Sequence, residues 1–349
     1  MWRASAARKL PGAIHFHQLQ SLRALAALMV VMQHAQFLHH PRWWGSTVGA
    51  LGVDLFFVIS GFVIVTVTRN EQSFRRYALR RLIRIVPIYW LLTCVMAALV
   101  LFAPGLFRAT WFTLDHFIAS LLFIPTVSPS RPDEISPLLP PGWTLNFEMF
   151  FYLVFGALIA LRLRGGARIV ALSAVFGLLI AAGMVLQPAA AVSKYYTSWR
   201  LLEFLAGAWV GQAISRWRLN LPGWTYAGAG VLGAVLLMAD ETWFPLGGRI
   251  AGSALLVFAA TASQLNGIAL RSALIEKLGD ASYSIYLSHV FTIGALKFIW
   301  LRTPFAARLP FEPVWFIVIC ILASALIGLL IHLWLERPML SGLRRHFNL

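Results

Sequence analysis

Apolar runs of about 20 residues recur along the whole chain, and this feature limits the possible folds more than any other. A helix needs about 20 apolar residues to cross the hydrocarbon core of a bilayer. Of the 349 residues, 59% are hydrophobic and only 12% are charged, whereas soluble domains carry about a quarter charged residues. A soluble core of this size could not bury so much apolar side chain. The chain is therefore predicted to be an all-α polytopic membrane protein, with residues 1–349 forming one membrane domain.

The runs predict ten membrane-spanning helices. Their approximate positions are 19–38, 48–67, 86–104, 143–162, 168–187, 199–215, 223–240, 249–265, 281–301 and 313–335. One further apolar piece, near 115–125, is short for a crossing and leads into a proline-rich stretch at 125–141. We expect this piece to be re-entrant or interfacial, because such backbone is tolerated at membrane depth only beside protein or a water-filled cavity.

The distribution of basic residues sets the expected orientation. The net charge is +16, but the basic residues lie in short loops between apolar runs, which is the positive-inside pattern and argues against a nucleic-acid partner. With ten crossings and both termini in the cytoplasm, 19 basic residues lie inside and 8 outside; if the short piece also crossed, the split would be 15 against 12. The first arrangement fits the rule better.

Ionisable side chains inside a membrane are costly and are therefore functional candidates. Arg23 and His34 lie 11 residues apart in the first predicted helix. That spacing places them on nearly the same face, about 16 Å apart along the axis. An imidazole can take and return a proton near neutral pH, so His34 is a candidate general base. The alternative is a histidine that hydrogen bonds to a neighbouring helix.

Three carboxylates are predicted at a depth similar to that of His34, in the outer third of the bilayer. They are Asp54, Glu148 and Glu203, each from a different helix. Because carboxylates cannot face lipid cheaply, we expect these acids and His34 to converge on one polar cavity. A carboxylate beside the histidine would fix its tautomer and stabilise the imidazolium. Arg200 precedes Glu203 by three residues, so a structural ion pair between them is an open alternative.

Other polar residues suggest binding sites. Arg81 and Arg84 precede an apolar run on the predicted cytoplasmic side, where they could bind phosphate or simply hold the protein in place against lipid headgroups. Ser282, Tyr286 and His289 share one helix face and could be structural, ligand-binding or part of a proton path. The two cysteines have no metal-ligand spacing, so no metal site is predicted.

Several segments together, in order along the chain, resemble the acyltransferase-3 family of membrane O-acyltransferases. The segments are 19–27 with His34, 52–62, 81–90, 143–152, 200–207, 280–289 and 336–338. The first of them reads Leu-Gln-Ser-Leu-Arg and looks closer to the subgroup associated with exopolysaccharide production.

This resemblance implies an enzyme of the bacterial inner membrane with ten helices. Its donor substrate would be acyl-coenzyme A, usually acetyl, with no tightly bound cofactor. Its acceptor would be a hydroxyl of an exported or surface polysaccharide or of a lipid-linked precursor. From the residues and the resemblance together, we assign His34, Glu148 and Asp54 to catalysis, Arg23, Arg81 and Arg84 to the donor, and Arg200, Glu203, Tyr286 and His289 to substrate binding.

The proposed donor site lies at the inner face of the membrane, whereas the proposed base, His34, lies near the outer face. Either a deep funnel brings the thioester up to His34, or the predicted helix register is off by a turn. A proton-coupled exporter or flippase of a polysaccharide or lipid intermediate would explain ten helices and buried charges equally well. A structural subunit of a polysaccharide assembly complex is a third possibility. The oligomeric state cannot be read from the sequence.

Overall fold

A computed structural model describes residues 16–36, 48–103, 110–216, 220–239, 247–268, 271–303 and 310–349. The first helices are α1 His17–Gln36, α2 Val48–Val67, α3 Phe74–Phe102, α4 Leu114–Leu121, α5 Trp143–Ala160, α6 Gly165–Leu186 and α7 Ala191–Tyr196. The later ones are α8 Leu201–Arg216, α9 Gly223–Met238, α10 Gly247–Leu265, α11 Ala273–Asp280, α12 Ser282–Trp300, α13 Glu312–Ile331 and α14 Arg337–His346. A π-helical turn, His332–Glu336, joins α13 to α14. Two short antiparallel strands, β1 Val127–Ser128 and β2 Arg131–Ile135, precede a 3₁₀ turn at Pro140–Gly142.

A helix lies in each of the ten intervals predicted to span the membrane, so the protein is a helical membrane protein. Five segments of the described chain are long and apolar enough to cross: Val48–Val67, Phe74–Phe102, Pro140–Ala160, Gly165–Leu186 and Glu312–His346. The other helices are shorter or more polar. For example, α8 and α9 have 16 residues each, and α1 carries glutamines, histidines and an arginine among its apolar residues.

The apolar piece at 115–125 forms α4, an eight-residue helix. Eight residues span about 12 Å, which is too short to cross a bilayer. Its re-entrant or interfacial position stays a prediction, as do the ten crossings and the cytoplasmic C-terminus. The first 15 residues, and with them the predicted position of the N-terminus, lie outside the described residues.

The proline-rich stretch after α4 contains a hairpin that the sequence pattern did not predict. The Ser136 backbone N–H donates to the Thr126 carbonyl oxygen over 3.1 Å, and the His116 Nε2 atom donates to the Ser136 carbonyl oxygen over 2.9 Å. Ser120 accepts a hydrogen bond from the Leu138 backbone N–H over 2.8 Å. These bonds attach the hairpin to α4, and α4 in turn packs on α3 through Tyr89, whose hydroxyl donates to the Ser120 carbonyl oxygen.

Helix α2 lies at the centre of the bundle, between α1, α8 and α10. Its crossing with α8 is close because two glycines meet backbone there. A Cβ atom on Gly61 would overlap the Phe204 carbonyl oxygen, and one on Gly207 would overlap the Val58 carbonyl oxygen. Small residues allow such backbone approach between membrane helices. This contact fixes which face of α2 is turned to α8 and which is turned to the cavities described next.

Candidate active site

Two cavities lie within the bundle, and α1, α2, α5 and α12 contribute to both. The first, of about 130 Å³, is lined by Arg23, Arg81, Arg84 and Glu148 together with residues of α2, α5 and α12; we call it the arginine cavity. The second, of about 360 Å³, is lined by His34 and His289 together with the start of α2 and strand β2; we call it the histidine cavity. The predicted polar interior of the bundle is therefore present, but it is divided in two.

The two cavities are stacked along the bundle axis. On α1, Arg23 lines one and His34 the other, a rise of about 16 Å. On α12, Ser282 and His289 line the two cavities in the same order. Val53 and Tyr286 line both. The separation between Arg23 and His34 that the sequence implied is therefore also the separation between the two cavities.

His34 is held by its own helix. Its Nδ1 atom lies 2.9 Å from the Val30 carbonyl oxygen. A carbonyl can only accept, so Nδ1 carries the proton and Nε2 keeps the lone pair that a general base needs. The structure thus gives a backbone carbonyl the orienting role that we expected a carboxylate to play.

His289 lies against His34, with the two ring centroids 4.7 Å apart. Its Nδ1 atom donates to the Tyr286 carbonyl oxygen over 2.6 Å. Its Nε2 atom is buried and has no hydrogen-bond partner among the described residues. Buried polar atoms are nearly always paired, so this bare nitrogen beside His34 is a feature that a bound hydroxyl or water would satisfy.

The remaining wall of the histidine cavity comes from residues that were not among the predicted site residues. Arg131 and Glu134 of β2 form an exposed ion pair over 2.8 Å at its edge. Gln33 accepts hydrogen bonds from the backbone N–H groups of Gly49 and Ala50 at the start of α2. Trp143 lines the same cavity. Only Trp143 carried a signal in the sequence, as part of a family-like segment.

In the arginine cavity, one carboxylate faces several cations. Glu148 accepts hydrogen bonds from the Ser60 hydroxyl, over 3.0 Å, and from the Tyr152 hydroxyl. The Arg81 guanidinium lies over the Tyr152 ring, 5.8 Å from its centroid, and its Nε atom is buried without a hydrogen bond in the described part of the chain. Arg23 lines the cavity and makes no hydrogen bond or ion pair with any described side chain. Two guanidinium groups thus face this space without a carboxylate of their own.

Arg84 is different because it already has a partner. It forms an ion pair with Glu336 of the π-helical turn, whose side chain is fully buried. Glu336 also accepts from the Ser284 hydroxyl over 2.7 Å and from His332 Nδ1 over 2.8 Å. The guanidinium lies 5.3 Å from the centroid of the Tyr283 ring. In the sequence Glu336 was noticeable only as part of a family-like segment, since its partner lies 252 residues away.

Asp54 and Glu203, whose side chains are fully buried, belong to a separate ion cluster. Arg200 binds the Asp54 Oδ1 atom over 3.1 Å and the Glu203 Oε1 atom over 3.5 Å, and Arg249 lies 3.8 Å from Asp54 Oδ2. None of these four lines either cavity. The prediction that His34 and the three acids share one pocket is therefore wrong, and the structural ion pair considered for Arg200 and Glu203 is present. The cluster contacts the histidine cavity through Trp143, whose ring centroid is 5.2 Å from the Arg200 guanidinium.

The family model of the acyltransferase domain matches residues 16–333. The chain belongs to the acyltransferase-3 family. Among similar proteins, the exopolysaccharide production protein ExoZ of Rhizobium meliloti (strain 1021) is 38% identical over 303 residues, covering 84% of this chain and 90% of that protein. Acyltransferase MdmB of Streptomyces mycarofaciens is 26% identical and covers 81% and 80% of the two chains. The putative peptidoglycan O-acetyltransferase YrhL of Bacillus subtilis (strain 168) is 24% identical, with 98% of this chain matching 56% of that protein. No solved structure matches.

Family membership makes the protein an acyltransferase, which decides between the enzyme and exporter interpretations. All residues that line the two cavities lie within the matched range. Within the residues that the structure describes, no group of three or more His, Cys, Asp or Glu side chains could hold a metal ion.

Proposed function

We propose that this acyltransferase moves an acyl group, in the first instance acetyl, from acyl-coenzyme A to a hydroxyl of an exported or surface polysaccharide or of its lipid-linked precursor. The names of its relatives ExoZ and YrhL support a polysaccharide acceptor. The observation that carries the proposal is the position of His34. Its Nδ1–H group donates to the Val30 carbonyl oxygen, and the residue lines a cavity that adjoins a second, cationic cavity.

The arginine cavity suits the donor. Coenzyme A carries its phosphate charges at the nucleotide end, from which a long thin arm leads to the thioester, and guanidinium groups bind phosphate well because they donate in a planar fork. Arg81 and Arg23 are the cations that lack a carboxylate partner among the described side chains, so they would take these charges. Arg84 is neutralised by Glu336, and its role is to hold α3 against the π-helical turn beside the cavity. Glu148 is the one acid of the predicted catalytic set that lines this space.

The histidine cavity suits the acceptor. It is the larger of the two, at about 360 Å³, and combines an aromatic face from Trp143 with polar groups from Gln33, Arg131 and Glu134. Concave sites that pair apolar walls with a few polar groups are the usual form of ligand sites. His289 Nε2 offers a hydrogen-bond acceptor for a sugar hydroxyl beside His34.

Transfer then proceeds through a tetrahedral intermediate. His34 Nε2 takes the proton of the acceptor hydroxyl while the oxygen attacks the thioester carbonyl carbon. Collapse of the intermediate breaks the carbon–sulfur bond, and the departing thiolate takes the proton back from the His34 imidazolium. The products are an O-acyl ester and free coenzyme A, and His34 returns to its starting state.

The membrane arrangement is part of the same proposal. The arginines that precede and begin α3 would face the cytoplasm of a bacterium, in agreement with the positive-inside rule, so the arginine cavity would open toward the acyl-coenzyme A pool. The histidine cavity would then lie toward the far side of the inner membrane, where exported glycans are found. Ten crossings with both termini inside, and α4 as a re-entrant or interfacial helix, give this orientation.

The test uses the purified protein in lipid nanodiscs with radiolabelled acetyl-coenzyme A and an unacetylated bacterial exopolysaccharide as acceptor. We expect release of free thiol and label on the polysaccharide. His34→Ala should lower the rate by roughly 10²- to 10⁴-fold, the usual contribution of a general base. His17→Ala is the matched control, since His17 is on the same helix but pairs with Glu276, outside both cavities. Full activity of His34→Ala would refute the assignment.

A further inference from the structure

One tyrosine stands where the two cavities meet. Tyr286 and Val53 line both of them, from α12 and α2. The Tyr286 side chain is buried, and its ring packs edge-on against Phe56 with centroids 5.7 Å apart. We propose that Tyr286, with Val53 opposite, is a partition between the cavities that limits the length of the acyl group able to reach His34. This inference rests on the proposed function, because it takes the arginine cavity as the donor side.

The Tyr286 hydroxyl is fastened to the walls of both cavities. It donates to the Pro141 carbonyl oxygen over 2.9 Å and lies 3.0 Å from the Thr144 hydroxyl, which itself lies 3.2 Å from the same carbonyl. Pro141 lines the histidine cavity and Thr144 the arginine cavity. These are hydrogen bonds between neutral groups, each with a modest net effect. These two hydrogen bonds therefore hold the ring in place, and each is weak enough for a bound donor to replace it with a hydrogen bond of its own.

The backbone of the same residue organises the base. The Tyr286 carbonyl oxygen accepts the hydrogen bond from His289 Nδ1 over 2.6 Å, and the His289 ring contacts His34. The partition thus lies one helical turn from the imidazole pair, at the place where a thioester coming from the arginine cavity would meet His34.

An acyl group that is to react must lodge between Val53 and Tyr286. Acetyl adds one methyl group beyond the thioester carbonyl, whereas each longer chain adds methylenes that press on the tyrosine ring. In closed apolar pockets one methylene changes specificity by roughly 10- to 200-fold. We therefore expect the enzyme to prefer donors with short acyl chains, and we expect the side chains of Val53 and Tyr286 to set this preference.

The experiment measures kcat/KM for acetyl-, propionyl-, butyryl- and hexanoyl-coenzyme A with one acceptor in nanodiscs. We expect the wild type to favour acetyl. Tyr286→Ala and Val53→Ala should each raise the butyryl-to-acetyl ratio by about tenfold or more, the lower end of the effect of a methylene. Tyr286→Phe keeps the ring but loses the bond to Pro141, so its ratio should rise by a smaller factor.

Tyr283→Phe is the matched control. The Tyr283 hydroxyl also donates to a backbone carbonyl, that of Ile85, over 2.7 Å, but this residue lines only the arginine cavity. Its variant should keep the wild-type chain-length ratio, whatever happens to its overall rate. A ratio that shifts as much in Tyr283→Phe as in Tyr286→Phe would show a general loosening and would overturn the inference.

The outcomes separate the two claims. A wild-type protein that transfers acetyl while Tyr286→Ala and Val53→Ala keep its ratio refutes the partition and leaves the proposed function standing. A wild-type protein that releases no thiol from any of the donors refutes the proposed function and the partition with it. If Tyr286→Ala does not fold, Val53→Ala and Tyr286→Phe decide, because both remove only a few atoms from the core.

Discussion

The ion pair between Arg84 and Glu336 should be a main stabilising contact between α3 and the C-terminal part of the chain. The Glu336 side chain is fully buried and that of Arg84 is 24% exposed. Arg84→Gln would leave the carboxylate in the core with only Ser284 and His332 as partners. Removing one member of a buried pair costs about 3–5 kcal/mol. Since Arg84 is partly exposed, we expect the lower end, about 3 kcal/mol, or roughly two orders of magnitude in the folded-to-unfolded ratio.

The double variant Arg84→Gln/Glu336→Gln tests this reasoning. It removes both charges and leaves two amides that can pair with each other, so it should recover most of the lost stability, with a coupling energy of about 2–3 kcal/mol. The assay is the folded fraction during denaturant titration in mixed micelles, for the wild type, both single variants and the double variant. If Arg84→Gln is as stable as the wild type, or if the losses of the single variants simply add, the pair does not hold the fold as argued.

Three further outcomes follow from the same geometry. Arg81→Gln should raise the donor KM by roughly tenfold or more, because one charge-assisted hydrogen bond is lost, while stability stays unchanged. Arg75→Gln, at an exposed position of α3, is the control. An unchanged KM for Arg81→Gln would argue against a donor site there. His289→Gln should lower kcat by about tenfold or more while the donor KM stays the same, measured by initial rates; wild-type kcat would show that its bare Nε2 atom has no part in transfer. Gly207→Ala should reduce the yield of folded protein in size-exclusion profiles, because its methyl group overlaps the Val58 carbonyl oxygen; a normal profile would contradict the close crossing.

The sequence was sufficient to place a helix in each interval predicted to span the membrane, although α3 begins at Phe74 rather than near residue 86, and α7, α11 and α14 were not predicted. Apolar runs of spanning length locate helices because the bilayer requires every backbone group to be paired internally, and a helix lies at each predicted interval. The sequence also singled out His34 and Arg23 as candidates, since an ionisable group is costly within an apolar run, and each of them lines a cavity.

Helix rotation could not be read in the same way. Val53 lines both cavities, whereas Asp54, about 100° further around α2, faces Arg200 and Arg249. Depth along the helix was the only coordinate available for Asp54, and depth does not say which neighbour a side chain meets. The face is set by packing, here by Gly61 and Gly207 at the crossing with α8.

Contacts between distant parts of the chain were equally inaccessible. Glu336 meets Arg84 across 252 residues. The hairpin that brings Glu134 to the histidine cavity lies in a proline-rich stretch that lacks the alternating pattern typical of strands. Neither has a local signal, because each depends on how separate helices come together.

The buried cluster around Asp54 gives the sharpest contrast with the sequence-based assignment. A catalytic Asp54 would be dispensable for folding but essential for transfer. In the structure its two carboxylate oxygens face Arg200 and Arg249, and Arg200 also reaches Glu203. Asp54→Asn would remove the buried carboxylate whose two oxygens face Arg200 and Arg249. We therefore expect it to lose about 3 kcal/mol or more of folding free energy, while the molecules that fold keep a turnover number close to that of the wild type.

Glu148→Gln should behave in the opposite way. Glu148 lines the arginine cavity and accepts from the hydroxyls of Ser60 and Tyr152, and the amide oxygen of a glutamine can accept both bonds, so the fold should be kept. The negative charge that faces Arg23 and Arg81 would be lost from the cavity proposed for the donor. We therefore expect turnover per folded molecule to fall while stability stays close to that of the wild type. The measurement is turnover per folded molecule, and the folded fraction is taken from size-exclusion profiles recorded without substrate. A stable, inactive Asp54→Asn beside an unstable, active Glu148→Gln would reverse both assignments and place the catalytic acid in the cluster after all.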